Sequence, residues 1–374
     1  MMSKNISFLW SVLTDTPKPD VVSINLTPYC NQRCKYCEIG NGKVKPTKPL
    51  LTFDDLKWII DQMQETGIPL ISIGGGEPLT VPWLWDVIRY AHEKGINTEI
   101  ITNGMLIPTL DGDKRSCLKL TSNVSVSIDA YDPEIQDYLR GVPGAFWKQR
   151  CGVEILQKNK IPYSIATVLS GYNHSKISEL VRIMDTHGAR FVKFQPVWQG
   201  SNFPEVDGID KKPLGVQAGH IPVLLSELQS ITEFEKVSDV KTNAGELLDW
   251  IESYLSEVRS EPVYKNYVNK YRCHTIHSII TINYYGEILP CNYQKPEGNI
   301  NSRENITSLW NTACNETRKT FKKDWYMPEC FGCTCSLEMG IICSGIRYPI
   351  KNRSVLPKIA GMVRNKLEKR KALQ

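Results

Sequence analysis

The sequence predicts an α/β protein, with a parallel sheet closed or partly closed as a six-stranded (β/α) barrel and then a small α+β unit. Two observations favour this class. Between residue 21 and about residue 197, short β-branched segments alternate with longer amphipathic segments. Beyond about residue 271, a hairpin pattern and clustered cysteines replace that alternation. In parallel sheets, ligands bind at the carboxyl ends of the strands, so we expect functional residues there.

Six segments rich in β-branched residues are predicted as the barrel strands: Val21–Leu26, Leu70–Ile73, Asn97–Ile101, Val124–Ile128, Tyr163–Leu169 and Arg190–Pro196. Helical periodicity predicts helices between most of them: Thr52–Thr66, Val81–Lys94, Gly144–Asn159 and Lys176–Thr186. Asp54 and Asp55 near one helix start, and Gly95 and Gly188 beyond two helix ends, are fitting caps.

Five regions are predicted along the chain: an N-terminal extension (1–20), the barrel (21–200), a bridging segment (201–262), a second unit (263–345) and a tail (346–374). The bridging segment contains two helical patterns, Ile221–Phe234 and Ala244–Arg259. In the second unit, Thr275–Asn283 and Glu287–Leu289 predict a hairpin around a Tyr-Gly turn.

Composition excludes several classes of protein. The chain has 374 residues, of which 41% are hydrophobic and 23% charged, so it is neither disordered nor fibrous. A net charge of +5 is too small to indicate nucleic-acid binding. No apolar run approaches the roughly 18 residues of a membrane span, and no signal peptide is recognisable. We therefore expect a cytoplasmic protein.

The cysteines are numerous and unevenly placed. Twelve are present, with three inside Cys30–Cys37 and four inside Cys330–Cys343. Because disulfides are disfavoured in the cytosol, clustered cysteines indicate metal centres. Cys117, Cys151 and Cys314 stand alone and are interpreted as buried thiols.

The first cluster, Cys30-x3-Cys34-x2-Cys37, directly follows the first predicted strand. Three thiolates on one loop can hold one metal centre, yet they leave a four-iron cluster one ligand short. A small molecule can then coordinate the open iron. Zinc is the weaker interpretation, because structural zinc normally has four protein ligands and no His follows at finger spacing.

With the aromatic Tyr36, these cysteines match the CxxxCxΦC motif of the radical S-adenosylmethionine (SAM) enzymes, and residues 20–200 resemble that family. Further motifs follow in the family's order at predicted strand ends: Gly75-Gly76-Glu77-Pro78, Thr102-Asn103-Gly104, Ser127-Ile128-Asp129, Asn173 and Gln195-Pro196. The resemblance implies a partial (β/α)6 radical SAM barrel. It also implies that Cys30, Cys34 and Cys37 bind a 4Fe–4S cluster.

The resemblance further implies a set of SAM-binding residues: Tyr36, Gly75, Gly76, Glu77, Pro78, Thr102, Asn103, Ser127 and Asp129. In that family, one electron from the cluster cleaves SAM and releases a 5′-deoxyadenosyl radical, which abstracts hydrogen from a substrate carbon. An external electron donor of the flavodoxin or ferredoxin type is implied as a partner.

The spacing Cys273-x12-Gly286-x4-Cys291 resembles the opening of the SPASM and twitch extensions of that family. Six cysteines are too few for two auxiliary clusters, so one auxiliary 4Fe–4S cluster is expected. Its expected ligands are these two cysteines with Cys330 and Cys333, and Cys343 is the substitute.

Two alternatives stay open for the second cysteine group. Cys335 could complete a second auxiliary cluster, and a zinc ribbon could be built from two cysteine pairs.

The leading functional hypothesis is oxidation, dehydration or epimerisation of a small, carbohydrate-like or lipid-linked substrate. Asn292 stands where sulfatase-maturing relatives carry a catalytic Asp, and an amide cannot act as a base. Because the cluster motif begins only 30 residues into the chain, we expect no N-terminal peptide-recognition domain and no cobalamin domain. Arg140 and Tyr131 are the candidate catalytic residues, and a solvated or ion-paired role is the alternative for both.

Two competing functions remain: radical SAM modification of a ribosomal peptide or protein, and electron transfer without SAM cleavage. The tail 346–374 holds nine basic residues and one acidic residue, with apolar residues at helical spacing. It could contact an anionic membrane surface peripherally or pack against the barrel.

Overall fold

A computed structural model describes residues 19–37, 39–40, 45–197, 214–248, 251–252, 255, 275–292 and 294–324. The predictions for residues 1–18, for Cys273, Cys330, Cys333, Cys335 and Cys343, and for the tail lie outside these residues. The described strands are β1 Val21–Asn25, β2 Leu70–Gly74, β3 Asn97–Thr102, β4 Asn123–Ser127, β5 Tyr163–Leu169, β6 Phe191–Pro196, β7 Lys241–Thr242, β8 Ile279–Ile282, β9 Glu287–Leu289 and β10 Gly298–Asn299. The described helices are α1 Phe53–Thr66, α2 Leu84–Glu93, α3 Gly112–Leu118, α4 Pro133–Arg140, α5 Ala145–Lys158, α6 Ile177–Thr186, α7 Ile221–Phe234, α8 Ala244–Leu248, α9 Thr275–Ser278, α10 Ile306–Ala313 and α11 Asn315–Asp324.

The alternating α/β barrel predicted for the first half of the chain is confirmed. β1 to β6 follow one another as parallel neighbours, each within one residue of its predicted ends. The α1 helix begins where Thr52 and Asp55 form a reciprocal capping box, and it ends at Gly67 in the left-handed conformation.

Two helices of the barrel, α3 and α4, were not predicted. Each spans only seven or eight residues, too few for helical periodicity to stand out. The start of α4 nevertheless has a local signal, because Asp132 caps the Glu134 and Ile135 amides and Pro133 occupies the first turn.

The strand prediction for Thr275–Asn283 was wrong in its first four residues, which form the single helical turn α9. Every residue of α9 and β8 is buried. A fully buried run has no polar alternation, so periodicity does not distinguish helix from strand there.

The hairpin of the second unit belongs to the barrel sheet. β8 pairs in parallel with β1, in the register Val21↔Ile279 to Ile24↔Ile282, and β9 and β10 follow antiparallel. At the other end, β7 extends the sheet beyond β6. The described strands thus form one ten-stranded sheet in the order β10-β9-β8-β1-β2-β3-β4-β5-β6-β7, with β10 and β7 at its edges.

The two faces of the parallel sheet differ. Residues such as Val124, Ile165 and Phe194 point into the buried core beneath the helices. The alternate residues are mostly half-buried, and Ile101 in the middle of the sheet is 41% exposed. Parallel sheets are normally covered on both faces, so a side that none of the described helices covers is a distinctive feature. We call it the open face, and its residues are Ser23, Asn25, Ser72, Glu99, Ile101, Asn123, Ser125, Ser127, Ser164, Ala166, Val168, Lys193 and Gln195.

None of the helices within the described ranges combines the length and apolar character needed to cross a bilayer.

If the β8 hairpin is part of the barrel sheet, Ile282→Ala should destabilise the same cooperative unit as Ile73→Ala. Both side chains are fully buried, so each truncation should lower the free energy of unfolding by about 2–5 kcal/mol. Urea denaturation followed by circular dichroism measures this. Val237→Ala is the control, because that side chain is 85% exposed and should change stability by less than about 0.5 kcal/mol. Separate transitions for the two core variants would show that the hairpin folds independently.

Candidate cluster and cofactor site

The loop that carries the three cysteines follows β1 and rests on the C-terminal end of α4. The Arg33 and Lys35 amides donate to the carbonyls of Arg140 (3.1 Å) and Leu139 (2.9 Å). The last carbonyls of a helix have no partner within the helix, so these bonds satisfy both elements. Gly141 allows the close approach, because a Cβ there would lie 2.0 Å from the Arg33 carbonyl oxygen.

A buried ion pair lies beneath this loop. Arg140 Nη2 is 2.7 Å from Asp129 Oδ1, and the two side chains are 6% and 0% exposed. Asp129 also accepts hydrogen bonds from the Tyr36 hydroxyl and from the Val168 amide at 2.8 Å. The Asp129 carboxylate thus connects the cysteine loop to α4, β4 and β5.

The surroundings of Arg140 favour its charged form. Burial is the largest single influence and lowers the pKa of Arg140, but the neighbouring Asp129, Tyr36 and Cys34 together outweigh it, so the pKa of the guanidinium is raised. Burial raises the pKa of the Tyr36 hydroxyl, which therefore stays a hydrogen-bond donor to Asp129.

The thiols form one electrostatic group. Burial raises the pKa of Cys34 to about 12, Arg140 opposes this shift, and the nearby Cys37 and Cys30 add to it. Burial also raises the pKa of Cys30. Thiols of this kind release their protons when iron binds, because the metal charge stabilises the thiolates.

The surroundings of the thiols fit a sulfur-rich cluster. Cys30 Sγ accepts from the Gln32 amide at 3.4 Å and from Asn103 Nδ2 at 3.8 Å, and hydrogen bonds of this kind set the potentials of iron–sulfur clusters. Gln32 Nε2 and Arg140 Nε are buried without an acceptor among the described residues. Such donors fit a cluster or ligand that brings acceptors. Within the same ranges, no three His, Cys, Asp or Glu side chains are arranged to hold a single metal ion.

The Gly75-Gly76-Glu77 turn after β2 packs directly against the start of the cysteine loop. The Gly76 and Glu77 amides donate to the carbonyls of Thr27 (2.7 Å) and Tyr29 (2.8 Å). A Cβ at Gly76 would lie 2.0 Å from the Tyr29 carbonyl oxygen, so the turn requires glycine at this position.

The Glu77 side chain lies inside the protein. Its carboxylate accepts from the Thr102 hydroxyl (2.7 Å), the Asn103 amide (2.8 Å) and the Leu79 amide (3.0 Å). Burial raises its pKa to about 7 even though these three donors favour ionisation. Glu77 therefore fixes the end of β3, and Asn103 in turn donates to Asn31 Oδ1 at 2.6 Å in the cysteine loop.

Two buried glutamines on α4 and α5 also organise the strand ends. Gln136 Oε1 accepts from the Asp129 amide (2.9 Å), and Gln136 Nε2 donates to Gln149 Oε1 (2.7 Å). Gln149 in turn donates to the carbonyls of Asn103 and Ser127. Sequence reasoning missed both, because a glutamine in a helix usually lies on the surface.

The predicted site residues occupy three kinds of position. The side chains of Glu77, Thr102 and Asp129 are buried and paired with protein groups, whereas Ser127 faces the open side. Tyr131 lies on the helix-covered side of the sheet, with its ring 5.2 Å from Phe146 in an edge-on contact.

Arg140, the other candidate catalytic residue, is the buried partner of Asp129. Near the same end of the sheet, Asn25 Nδ2 of β1 donates to Asn292 Oδ1 at 3.3 Å. The residue that follows Cys291 thus reaches the open face.

Comparison with known families agrees with this geometry. Residues 24–184 match the radical SAM superfamily, and residues 273–334 match an iron–sulfur cluster-binding domain, SPASM. The chain therefore carries a radical SAM domain followed by a SPASM domain. These two domains imply the binding of SAM and of 4Fe–4S clusters.

Several individual proteins are similar over nearly half of the chain. The AdoMet-dependent heme synthase of Methanosarcina barkeri is 33% identical over 174 residues, which are 46% of this chain and 49% of that protein. Mycofactocin maturase MftC of Mycobacterium tuberculosis is 26% identical over 186 residues, 49% of this chain and 47% of that protein. The chain thus matches about half the length of these curated relatives.

Solved structures share the fold over more of the chain. SuiB of Streptococcus suis gives a TM-score of 0.60 at 16% identity, covering 83% of this chain and 70% of that protein. The structure of anSMEcpe with bound AdoMet and a peptide gives 0.59 at 17% identity, covering 88% of each chain.

Gly141→Ala should prevent the cysteine loop from seating on α4, because the new Cβ would collide with the Arg33 carbonyl oxygen. We expect a lower iron content per chain after anaerobic reconstitution and a lower melting temperature. Gly144→Ala is a matched control, since that glycine also has a positive φ (76° against 65°) but no heavy atom within 4 Å of the added Cβ. Equal iron loading of the two variants would contradict the packing argument.

Arg140→Ala should leave the Asp129 carboxylate buried without its cation. Removing one partner of a buried ion pair typically costs about 3–5 kcal/mol of folding free energy. Urea denaturation of the iron-free chain measures this without interference from the cluster. Arg89→Ala, which breaks exposed pairs to Asp86 and Asp113, should have a much smaller effect. Similar losses for both variants would show that the buried pair carries no special stability.

Proposed function

We propose that this chain is a radical SAM enzyme that abstracts hydrogen from a small, carbohydrate-like or lipid-linked molecule, with an auxiliary 4Fe–4S cluster aiding its oxidation. One observation carries the proposal: the open face of the parallel sheet is half-exposed, lined mainly by polar side chains, and continuous with the strand ends that hold the cysteine loop. Ligands of parallel α/β sheets bind at these ends.

In this proposal Cys30, Cys34 and Cys37 hold the first cluster. When bound, the cluster and SAM supply an electron and a 5′-deoxyadenosyl radical that takes hydrogen from the substrate. The backbone of Gly75 and Gly76 would hold SAM, together with Pro78, Asn103 and Ser127 at the strand ends and Tyr36 on the cysteine loop.

The buried residues support this site indirectly. Glu77 and Thr102 hold the end of β3, while Asp129 and Arg140 hold the cysteine loop. We therefore assign positioning roles to these four side chains.

The auxiliary cluster is proposed to accept the second electron of a two-electron oxidation. Such an oxidation would remove one hydrogen atom from the substrate and then one electron and one proton. Cys291 and the other expected ligands would hold the cluster that could take this electron. The contact between Asn292 and Asn25 supports this, because it brings the neighbour of the expected ligand Cys291 to the barrel end that bears the cysteine loop. Electrons enter from an external flavodoxin or ferredoxin.

A peptide substrate is the competing assignment. It is favoured by the similarity to the mycofactocin maturase and by the shared fold with SuiB, which has also been solved with its precursor peptide. Against it stands the polar character of the open face, which contains one large aliphatic residue, Ile101, near its centre. Peptide binding uses apolar pockets between main-chain hydrogen bonds more often than a polar surface of this kind.

The proposal is tested by anaerobic reconstitution, iron counting, and incubation with SAM and dithionite while 5′-deoxyadenosine is followed. About eight irons per chain and slow cleavage are expected for one SAM-binding and one auxiliary 4Fe–4S cluster. Cys34→Ala should abolish cleavage, because it removes one of three ligands. Cys151→Ala should leave cleavage unchanged. The prediction that Cys151 is buried was wrong, because that thiol is exposed on the surface of α5, whereas Cys117 and Cys314 are buried as predicted.

Other results of this experiment would contradict or change the proposal. A full iron load without cleavage would favour an electron carrier, and unchanged turnover of Cys34→Ala would overturn the assigned cluster site. About four irons would remove the auxiliary cluster from the proposal. Stimulation of cleavage by peptides but not by sugars would favour the peptide assignment.

A further inference from the structure

The strongest unassigned feature of the open face is a row of hydrogen-bonded polar side chains centred on a carboxylate. Glu99 on β3 accepts from Asn123 Nδ2 on β4 at 2.9 Å and from Ser72 Oγ on β2 at 3.2 Å. The same Asn123 amide donates to Ser164 Oγ on β5 at 2.8 Å. We call these four residues the Glu99 row. It crosses four adjacent strands. The parallel pairing aligns Ser72, Glu99 and Asn123, whereas Ser164 pairs with Ser125, two positions after Asn123.

The carboxylate of Glu99 has acceptor capacity left over. A carboxylate offers about four lone-pair positions, and one neutral donor binds each Glu99 oxygen. None of the ion pairs found among the described residues includes Glu99. The group is half-buried on a surface that no described helix covers. Its charge is best complemented by a cation that donates hydrogen bonds.

The position of the row limits the size of a ligand. Asn103, which contacts the cysteine loop, lies four residues after Glu99, directly beyond the end of β3. At about 3.3 Å per residue, the separation is about 13 Å. A molecule of the size of one sugar or one amino acid spans this distance together with the cofactor that reacts with it.

We propose that Glu99 is a specificity-determining residue that binds the ammonium group of a small amine-bearing substrate, such as an amino sugar, on the open face. The inference rests on the proposed function for the identity of the reaction. It adds the chemical class of the substrate and the side chain that recognises it. Ser72 and Asn123 orient the carboxylate and leave its remaining lone pairs to the ligand.

The test uses matched pairs of small molecules that differ in an amine and a hydroxyl: glucosamine with glucose, and serinol with glycerol. Binding to the reconstituted full chain with SAM is measured by anaerobic equilibrium dialysis with mass-spectrometric detection. At least one amine should bind about tenfold or more tightly than its alcohol, as expected for a hydrogen bond between charged groups. Added sodium chloride should weaken this preference.

Glu99→Gln should abolish the amine preference, because it keeps the shape and removes the charge. Glu99→Asp should retain it at lower affinity, so a failure of the Gln variant to fold leaves a second measurement. Glu93→Gln, an exposed glutamate at the end of α2, is the matched control and should bind like the wild type.

Three results would overturn the inference: no amine bound by the wild type, equal binding of amine and alcohol, or a preference that survives in Glu99→Gln. Binding is measured independently of SAM cleavage. A chain that selects amines without cleaving SAM defeats only the proposed function, and one that cleaves SAM without selecting amines defeats only the inference.

Discussion

The buried ion pair between Asp129 and Arg140 is the interaction on which the arrangement of the site depends. A buried carboxylate and a buried guanidinium are each costly to remove from water, so their geometry is strongly constrained once they meet. Here that geometry also determines where Tyr36 and Cys34 lie, because both contact the pair. The stability of the barrel and the shape of the cysteine loop are therefore physically coupled.

The helices of the described residues pack on one side of the sheet and leave the open face uncovered. Apolar residues of alternate register fill the core beneath the helices, and the polar residues between them face the other way. Buried polar groups such as Glu77 and Gln149 stabilise the strand ends from within the protein, so the open face does not need a covering layer to hold its shape. The helix-covered face of the sheet thus forms the core, and the open face is the one we propose for ligand binding.

The sequence contained most of the fold but only part of the site. Strand positions could be predicted because β-branched segments recur at regular intervals, and the cysteine loop because its spacing is specific. The role of Asp129 could not be predicted, because its partners Arg140 and Val168 are distant in the sequence and contact it only after folding. The pairing of β8 with β1 was missed for a similar reason: a local pattern indicates a strand but not its neighbour.

That pairing has a consequence for how the chain is made. Val21 and its partner Ile279 are 258 positions apart, so one edge of the first strand stays unpaired while most of the chain is synthesised. At about 5–20 residues per second, the wait is roughly 13–50 s. An exposed strand edge can pair with another chain, so nascent copies of this protein need protection from aggregation during that interval.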